Sequence, residues 1–183
     1  MAKRRVYAND ANESVGLLLE IRLPWLILGL VLSLGTALVV ARYESILSFD
    51  PRIAFFIPLI VYVSDAVGTQ TATIYIRNLS KKQATFKIYV IKELFFGMSV
   101  GAIFGLIVGG VANFWLGSSD IALAVGIAML VSLTSASLLA LLFAATINKA
   151  KIDPAIGVDP IVTVVQDVIS LLIYFSVVSL ILR

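Results

Sequence analysis

Two carboxylates fall inside stretches of sequence that are otherwise apolar: Asp65 within 53–75 and Asp167 within 160–182. An Asp at the centre of a bilayer costs roughly 2.5–3.5 kcal/mol to insert, so such a residue faces a polar cavity, a partner or a ligand. Neither stretch contains a Lys or Arg to neutralise its acid. Counted from the cytoplasmic end of each stretch, Asp65 lies roughly 15 Å deep and Asp167 roughly 10 Å, at 1.5 Å per helical residue. Two unpaired acids reach similar depth on different helices, and that arrangement calls for a cation. Asp65, Thr69 and Thr73 recur every four residues with Gln70 beside them, and Thr163, Asp167 and Ser170 form a second polar stripe with Tyr174 a further turn along. Polar stripes through apolar helices suit a water-lined path. The alternatives are that each acid bonds a neighbouring backbone, and that the Thr and Ser hydroxyls bond their own helices.

The rest of the composition narrows the ion. The 183 residues include no Cys and no His. The common ligands of zinc, copper, iron–sulfur clusters and haem are therefore missing, along with the usual general base and the Cys and His nucleophiles. What remains is carboxylate, hydroxyl, amide and carbonyl oxygen, the ligand set of hard divalent cations. Intramembrane aspartyl proteases also use two acids, but neither their Gly-x-Gly-Asp nor their Tyr-Asp motif occurs in the chain, which is not expected to be an enzyme.

The elements that must position these residues are membrane helices. Sixty per cent of the residues are apolar and 14% are charged, against roughly 25% charged in soluble domains. There is too little charge to wet a globule of this size. The apolar runs at 23–41, 53–75, 94–116, 121–147 and 160–182 are each long enough to span as a helix, and far too long and unalternating for barrel strands. Residues 1–22 are expected to form a cytoplasmic segment without a cleavable signal peptide, partly interfacial over 16–22. With the N-terminus inside, Lys3, Arg4, Arg5, Arg22, Arg77, Lys81, Lys82, Lys87, Lys92, Lys149 and Lys151 fall on the cytoplasmic side, and only Arg42, Arg52 and Arg183 outside. That bias orients the chain with its C-terminus external. The basic residues sit between apolar runs, so the net charge of +3 does not signal nucleic acid.

Helix geometry adds three local expectations. Gly97, Gly101, Gly105 and Gly109 recur at a four-residue period and place a smooth face on the third span, for a neighbouring helix of the same protomer or for a dimer contact. Pro58 is expected to kink the second span and free a carbonyl for a ligand or water, with Gly68 relaxing the helix further. Asp153, Pro154, Ala155 and Pro160 mark a sharp turn into the fifth span.

Several strings together resemble the transmembrane domain of MgtE magnesium channels and of the related eukaryotic solute carriers. They are Arg22-Leu23-Pro24-Trp25-Leu26; Pro58 through Val67-Gly68-Thr69-Gln70; Asp153-Pro154-Ala155 through Asp167; and Leu172-Ile173-Tyr174. The resemblance runs from about Arg22 to the C-terminus. It implies an all-α polytopic fold of five transmembrane helices per protomer, in a homodimer with a pore at the two-fold interface lined by the second and fifth helices. It also implies that Asp167 binds the Mg²⁺. The chain departs from the family where Ser64-Asp65-Ala66 stands in place of Gly-Gly-Asn. The family's regulatory region with paired CBS domains has no counterpart in these residues, so gating through it is not expected of this chain alone.

The expected function is divalent-cation transport, of Mg²⁺ above all, by a bilayer-embedded homodimer. Asp65 and Asp167 hold the ion, and Thr69, Gln70, Thr73, Thr163 and Ser170 line the path. Mg²⁺ keeps several waters and needs only one or two carboxylates. Acids ~8 Å apart at an effective dielectric near 20 repel by roughly 2 kcal/mol per pair, and a bound divalent ion relieves that repulsion. One alternative is a Na⁺- or H⁺-coupled exchanger with Asp65 as the coupling acid. Another is a non-conducting membrane scaffold that works with a separate regulatory subunit.

Overall fold

The computed structural model describes residues 13–80, 85–150 and 159–182, all of whose regular structure is helical. In chain order these are α1 (Val15–Arg42), the short α2 (Glu44–Phe49), a 3₁₀ helix (Pro51–Phe56), α3 (Ile57–Ser80), α4 (Phe86–Leu116), α5 (Ser119–Ala150) and α6 (Asp159–Ile181). Five stretches are long and apolar enough to cross a membrane: Val15–Arg42, Pro51–Leu79, Phe86–Leu116, Ser119–Thr146 and Val162–Ile181. They match the five apolar runs in number and order. Lys3, Arg4, Arg5, Lys81, Lys82, Lys151 and Arg183, and the turn at Asp153, Pro154 and Ala155, lie outside the described residues.

The first helix starts earlier than its apolar run. Ser14 caps it by accepting the Leu17 N–H, which satisfies one of the orphan donors of the first turn. The helix then passes through Pro24 without ending. Residues 16–22, expected to be partly interfacial, belong to the same continuous helix as the first span.

Pro58 also behaves differently from expectation. It is the second residue of α3, preceded by the 3₁₀ helix, so it sits in the first turn, where the backbone N–H has no helical partner to lose. No interior kink results. The carbonyl four residues back, on Ala54, accepts the Ile57 N–H instead, so it is not a vacant ligand. The 3₁₀ helix is fixed at its start by Asp50. The Asp50 carboxylate accepts from the Arg52 backbone N–H at 3.0 Å and from the guanidinium Nε and Nη2 at 2.9 and 2.7 Å. These bonds hold the Asp50 carboxyl below its ordinary pKa range. Arg52 also donates to the Leu116 carbonyl at the end of α4, at 3.4 Å.

At the centre lies α5, packed against α3, α4 and α6, with Val125, Met129 and Leu133 fully buried. Its closest neighbour is α4, and the glycine stripe is the reason. A Cβ on Gly101 would lie 2.8 Å from the Leu130 carbonyl oxygen, one on Gly105 2.5 Å from that of Gly126, and one on Gly109 2.9 Å from that of Ala122. The register steps antiparallel, four residues at a time. The stripe therefore serves packing within one protomer, where small residues let two backbones approach. Gly117, with φ +63°, ends α4 in the left-handed conformation, its N–H bonded to the Asn113 carbonyl. Ser118 then accepts the Ile121 N–H, and α5 begins at once. Outermost is α1, whose only buried residue is Gly29. It leans on α6, with Tyr43 stacked on Phe175 at 4.7 Å between ring centroids.

Candidate ion site

The site is built where α3 meets α6. The inner face of α3 carries Ile60, Ser64, Val67, Gly68, Thr71 and Tyr75, all buried. Its outer face carries Thr69, Gln70 and Thr73, all exposed, and Asp65 sits half-buried at the edge between the two. On α6, Gln166, Ser170, Leu171, Tyr174, Phe175 and Val178 turn inward, and Asp167 is half-buried on that same side. Ser64 and Gln166, the residues just before the two acids, are joined by a hydrogen bond that sets the segments carrying Asp65 and Asp167 side by side. The two helices that carry the acids thus pack against each other within a single chain. Among the described residues, no group of three or more acids converges as a metal cluster.

The lining residues divide. Thr69, Gln70 and Thr73 lie on the open side of α3, and Thr163 is half-buried on α6, one turn before Asp167. Ser170 is only 2% exposed and belongs to the packed interior of the protomer. Tyr174, next on that stripe, is fully buried and donates its hydroxyl to the Ile53 carbonyl at 2.6 Å. It ties α6 to the 3₁₀ helix ahead of α3.

Four residues that sequence reasoning passes over, Gln166, Thr71, Glu93 and Ser137, also shape the site. Gln166 donates its side-chain amide to the Ser64 carbonyl and lies in the notch left by Gly68. Thr71 donates to the Glu93 carboxylate at 2.8 Å, and Ser137 on α5 donates to the Glu93 backbone carbonyl at 3.0 Å. Glu93 stands one turn before Gly97, so extending the glycine period by a single step finds it. Gln166 gives only a weak signal, as an amide beside an intramembrane acid. The Ser64 and Ser132 hydroxyls are buried without a hydrogen-bond partner.

Such an arrangement can hold a partly hydrated hard cation. It offers two carboxylates with hydroxyl and amide oxygens beside them, and no soft ligand. It also leaves polar groups on an outer helix face, which lipid disfavours.

Comparison with known proteins agrees with this chemistry. The sequence profile of the MgtE family, described as "Divalent cation transporter", matches residues 57–177. The chain is 34% identical over 165 residues to the magnesium transporter MgtE of Enterococcus faecalis, covering 88% of this chain and 36% of that protein. To the magnesium transporter MgtE of Bacillus subtilis it is 30% identical over 159 residues, covering 85% and 35%. To that of Thermus thermophilus it is 28% identical over 166 residues, covering 88% and 36%. The chain thus spans about a third of the length of these relatives. The matched stretch begins where α3 begins and ends within α6, so it contains both acids and every helix that positions them. This chain therefore belongs to the MgtE family, a family of divalent cation transporters and not of enzymes.

Proposed function

We propose that this chain moves Mg²⁺ across the membrane as a homodimer, with Asp65 and Asp167 of each protomer holding the ion on a path between the two copies. The observation that carries the reading is the hydrogen bond from Gln166 to the Ser64 carbonyl, which sets the segments of α6 and α3 that carry Asp167 and Asp65 side by side, beside an α3 face that exposes Thr69, Gln70 and Thr73. An uncharged amide or hydroxyl facing hydrocarbon is costly. A second copy or a water-filled path against that face removes the cost. Two protomers bring four carboxylates, and a divalent ion offsets their mutual repulsion better than a monovalent one. The carrier of this charge is a hydrated ion, since Mg²⁺ dehydrates reluctantly and binds through few carboxylates. The magnesium-transporting relatives add support for the ion, and the distribution of basic residues supports a cytoplasmic N-terminus and an external C-terminus.

A second reading, exchange of the divalent ion for Na⁺ or H⁺, is favoured by one feature. Asp65 and Asp167 stand on adjoining segments of α3 and α6, so loading one acid would change the affinity of the other. Uptake of Mg²⁺ into liposomes holding the purified protein, with and without imposed Na⁺ and proton gradients, tests both readings. Uptake that follows only the Mg²⁺ gradient and the membrane potential supports the passive path. Uptake that needs a counter-gradient supports exchange, and no uptake above empty liposomes refutes both.

A further inference from the structure

We propose that Gln166 is a positioning residue that sets the spacing of Asp65 and Asp167, and through that spacing the affinity for the transported cation. The inference rests on the transport reading above for its second half only.

Gln166 immediately precedes Asp167, and its side-chain amide reaches the carbonyl of Ser64, which immediately precedes Asp65. The peptide units that carry the two acids are therefore joined by one side chain and one hydrogen bond. Gln166 is 2% exposed and Ser64 fully buried, so water does not compete for this bond. A second constraint lies one turn along α3. A Cβ on Gly68 would fall 2.7 Å from Cδ of Gln166, so the amide occupies the place a side chain at 68 would take. The hydrogen bond at Ser64 and the bare backbone at Gly68 fix the amide along the axis of α3. A second polar tie of α6, from Tyr174 to the Ile53 carbonyl, lies about two turns further along, so the Gln166 bond is the nearer constraint on the acids. Because the interaction of two carboxylates with one ion depends steeply on their separation, a small slide of α6 along α3 would change ion affinity.

The chain has no cysteine, which allows a direct test. Asp65→Cys and Asp167→Cys are introduced together, and protection of the thiols from a maleimide is titrated with Cd²⁺, a soft ion that two thiolates bridge. The single-cysteine proteins give the unbridged baseline. Adding Gln166→Met keeps the side-chain length and removes the donor. The midpoint for Cd²⁺ is expected to rise about tenfold, the size of effect that follows from losing one hydrogen bond. Gly68→Ala, which unseats the amide without altering it, is expected to shift the midpoint the same way. In the otherwise unmutated protein, Gln166→Met is expected to raise the KM for Mg²⁺ uptake about tenfold at similar maximal rate. Elution volume in detergent should match that of the parent, with melting lowered by no more than the loss of one buried hydrogen bond.

An unchanged Cd²⁺ midpoint in both the Gln166→Met and Gly68→Ala backgrounds overturns the proposal, as does an unchanged KM in a protein that transports. Wild-type behaviour of Gln166→Met with a shift in Gly68→Ala alone also overturns it, because packing would then suffice. If the parent protein takes up no divalent cation, the transport reading fails while the Cd²⁺ titration still decides the spacing.

Discussion

Gly105 on α4 and Gly126 on α5 meet backbone to backbone: a Cβ on the first would lie 2.5 Å from the carbonyl oxygen of the second. With no hydrophobic drive between helices in lipid, this close approach is what makes the pair of helices cohere.

Gly105→Ala should therefore destabilise the protein by about 1–3 kcal/mol, the usual cost of overpacking. Gly110 lies on the same helix, and a Cβ added there would meet nothing within 4 Å. Gly110→Ala should be neutral or stabilise by up to about 1 kcal/mol, since Ala is the better helix former. Thermal unfolding of both variants in detergent checks the contrast, and equal destabilisation would refute it.

Asp167→Asn removes one charge per protomer and keeps the side-chain size. Mg²⁺ uptake should fall to the level of empty liposomes. Folding should be preserved, because taking a charge out of the membrane relieves part of its insertion cost. Wild-type uptake by this variant would end the assignment of the ion to Asp167.

Asp65→Asn separates the two transport readings. On a passive path it should raise the KM for Mg²⁺ and leave uptake independent of other gradients. In an exchanger it should leave Mg²⁺ movement uncoupled from Na⁺ or protons. Flux assays under imposed gradients, run on parent and variant together, distinguish the two.

Tyr174→Phe removes the hydroxyl that reaches the Ile53 carbonyl and leaves that acceptor buried. The expected cost is about 1–2 kcal/mol, read as a lower melting temperature. Because Tyr174 holds the end of α6 away from the acids, the KM for Mg²⁺ should stay within about twofold, a change worth under 0.5 kcal/mol.

Much of this architecture is legible in the sequence because the bilayer imposes a length on every helix. The five apolar runs, Asp65, Asp167 and the glycine period all follow from that constraint and from the helical repeat. The misplaced details have local causes. The start of α1 depends on the cap at Ser14, which hydropathy does not register. Pro58 reads in the sequence as interrupting one long helix, because a 3₁₀ turn over Pro51–Phe56 has no periodic signature of its own. Ser170 shares a helical stripe with Asp167, but spacing alone does not say whether that stripe meets a path or a neighbouring helix. Gln166 escapes notice for a related reason: an amide reaching the backbone of another helix has a partner that no sequence pattern names.

The link between α4 and α5 bears on how the protein is made. Only Gly117 and Ser118 separate the two helices, and the left-handed Gly117 turns the chain straight back. Two residues cannot hold α4 in the bilayer while α5 waits outside it. The pair is therefore expected to leave the translocation machinery together as a helical hairpin, its glycine-lined seam closing during insertion. A substitution that swells the seam would then act during synthesis, lowering the yield of inserted protein before any stability in the finished fold is measured.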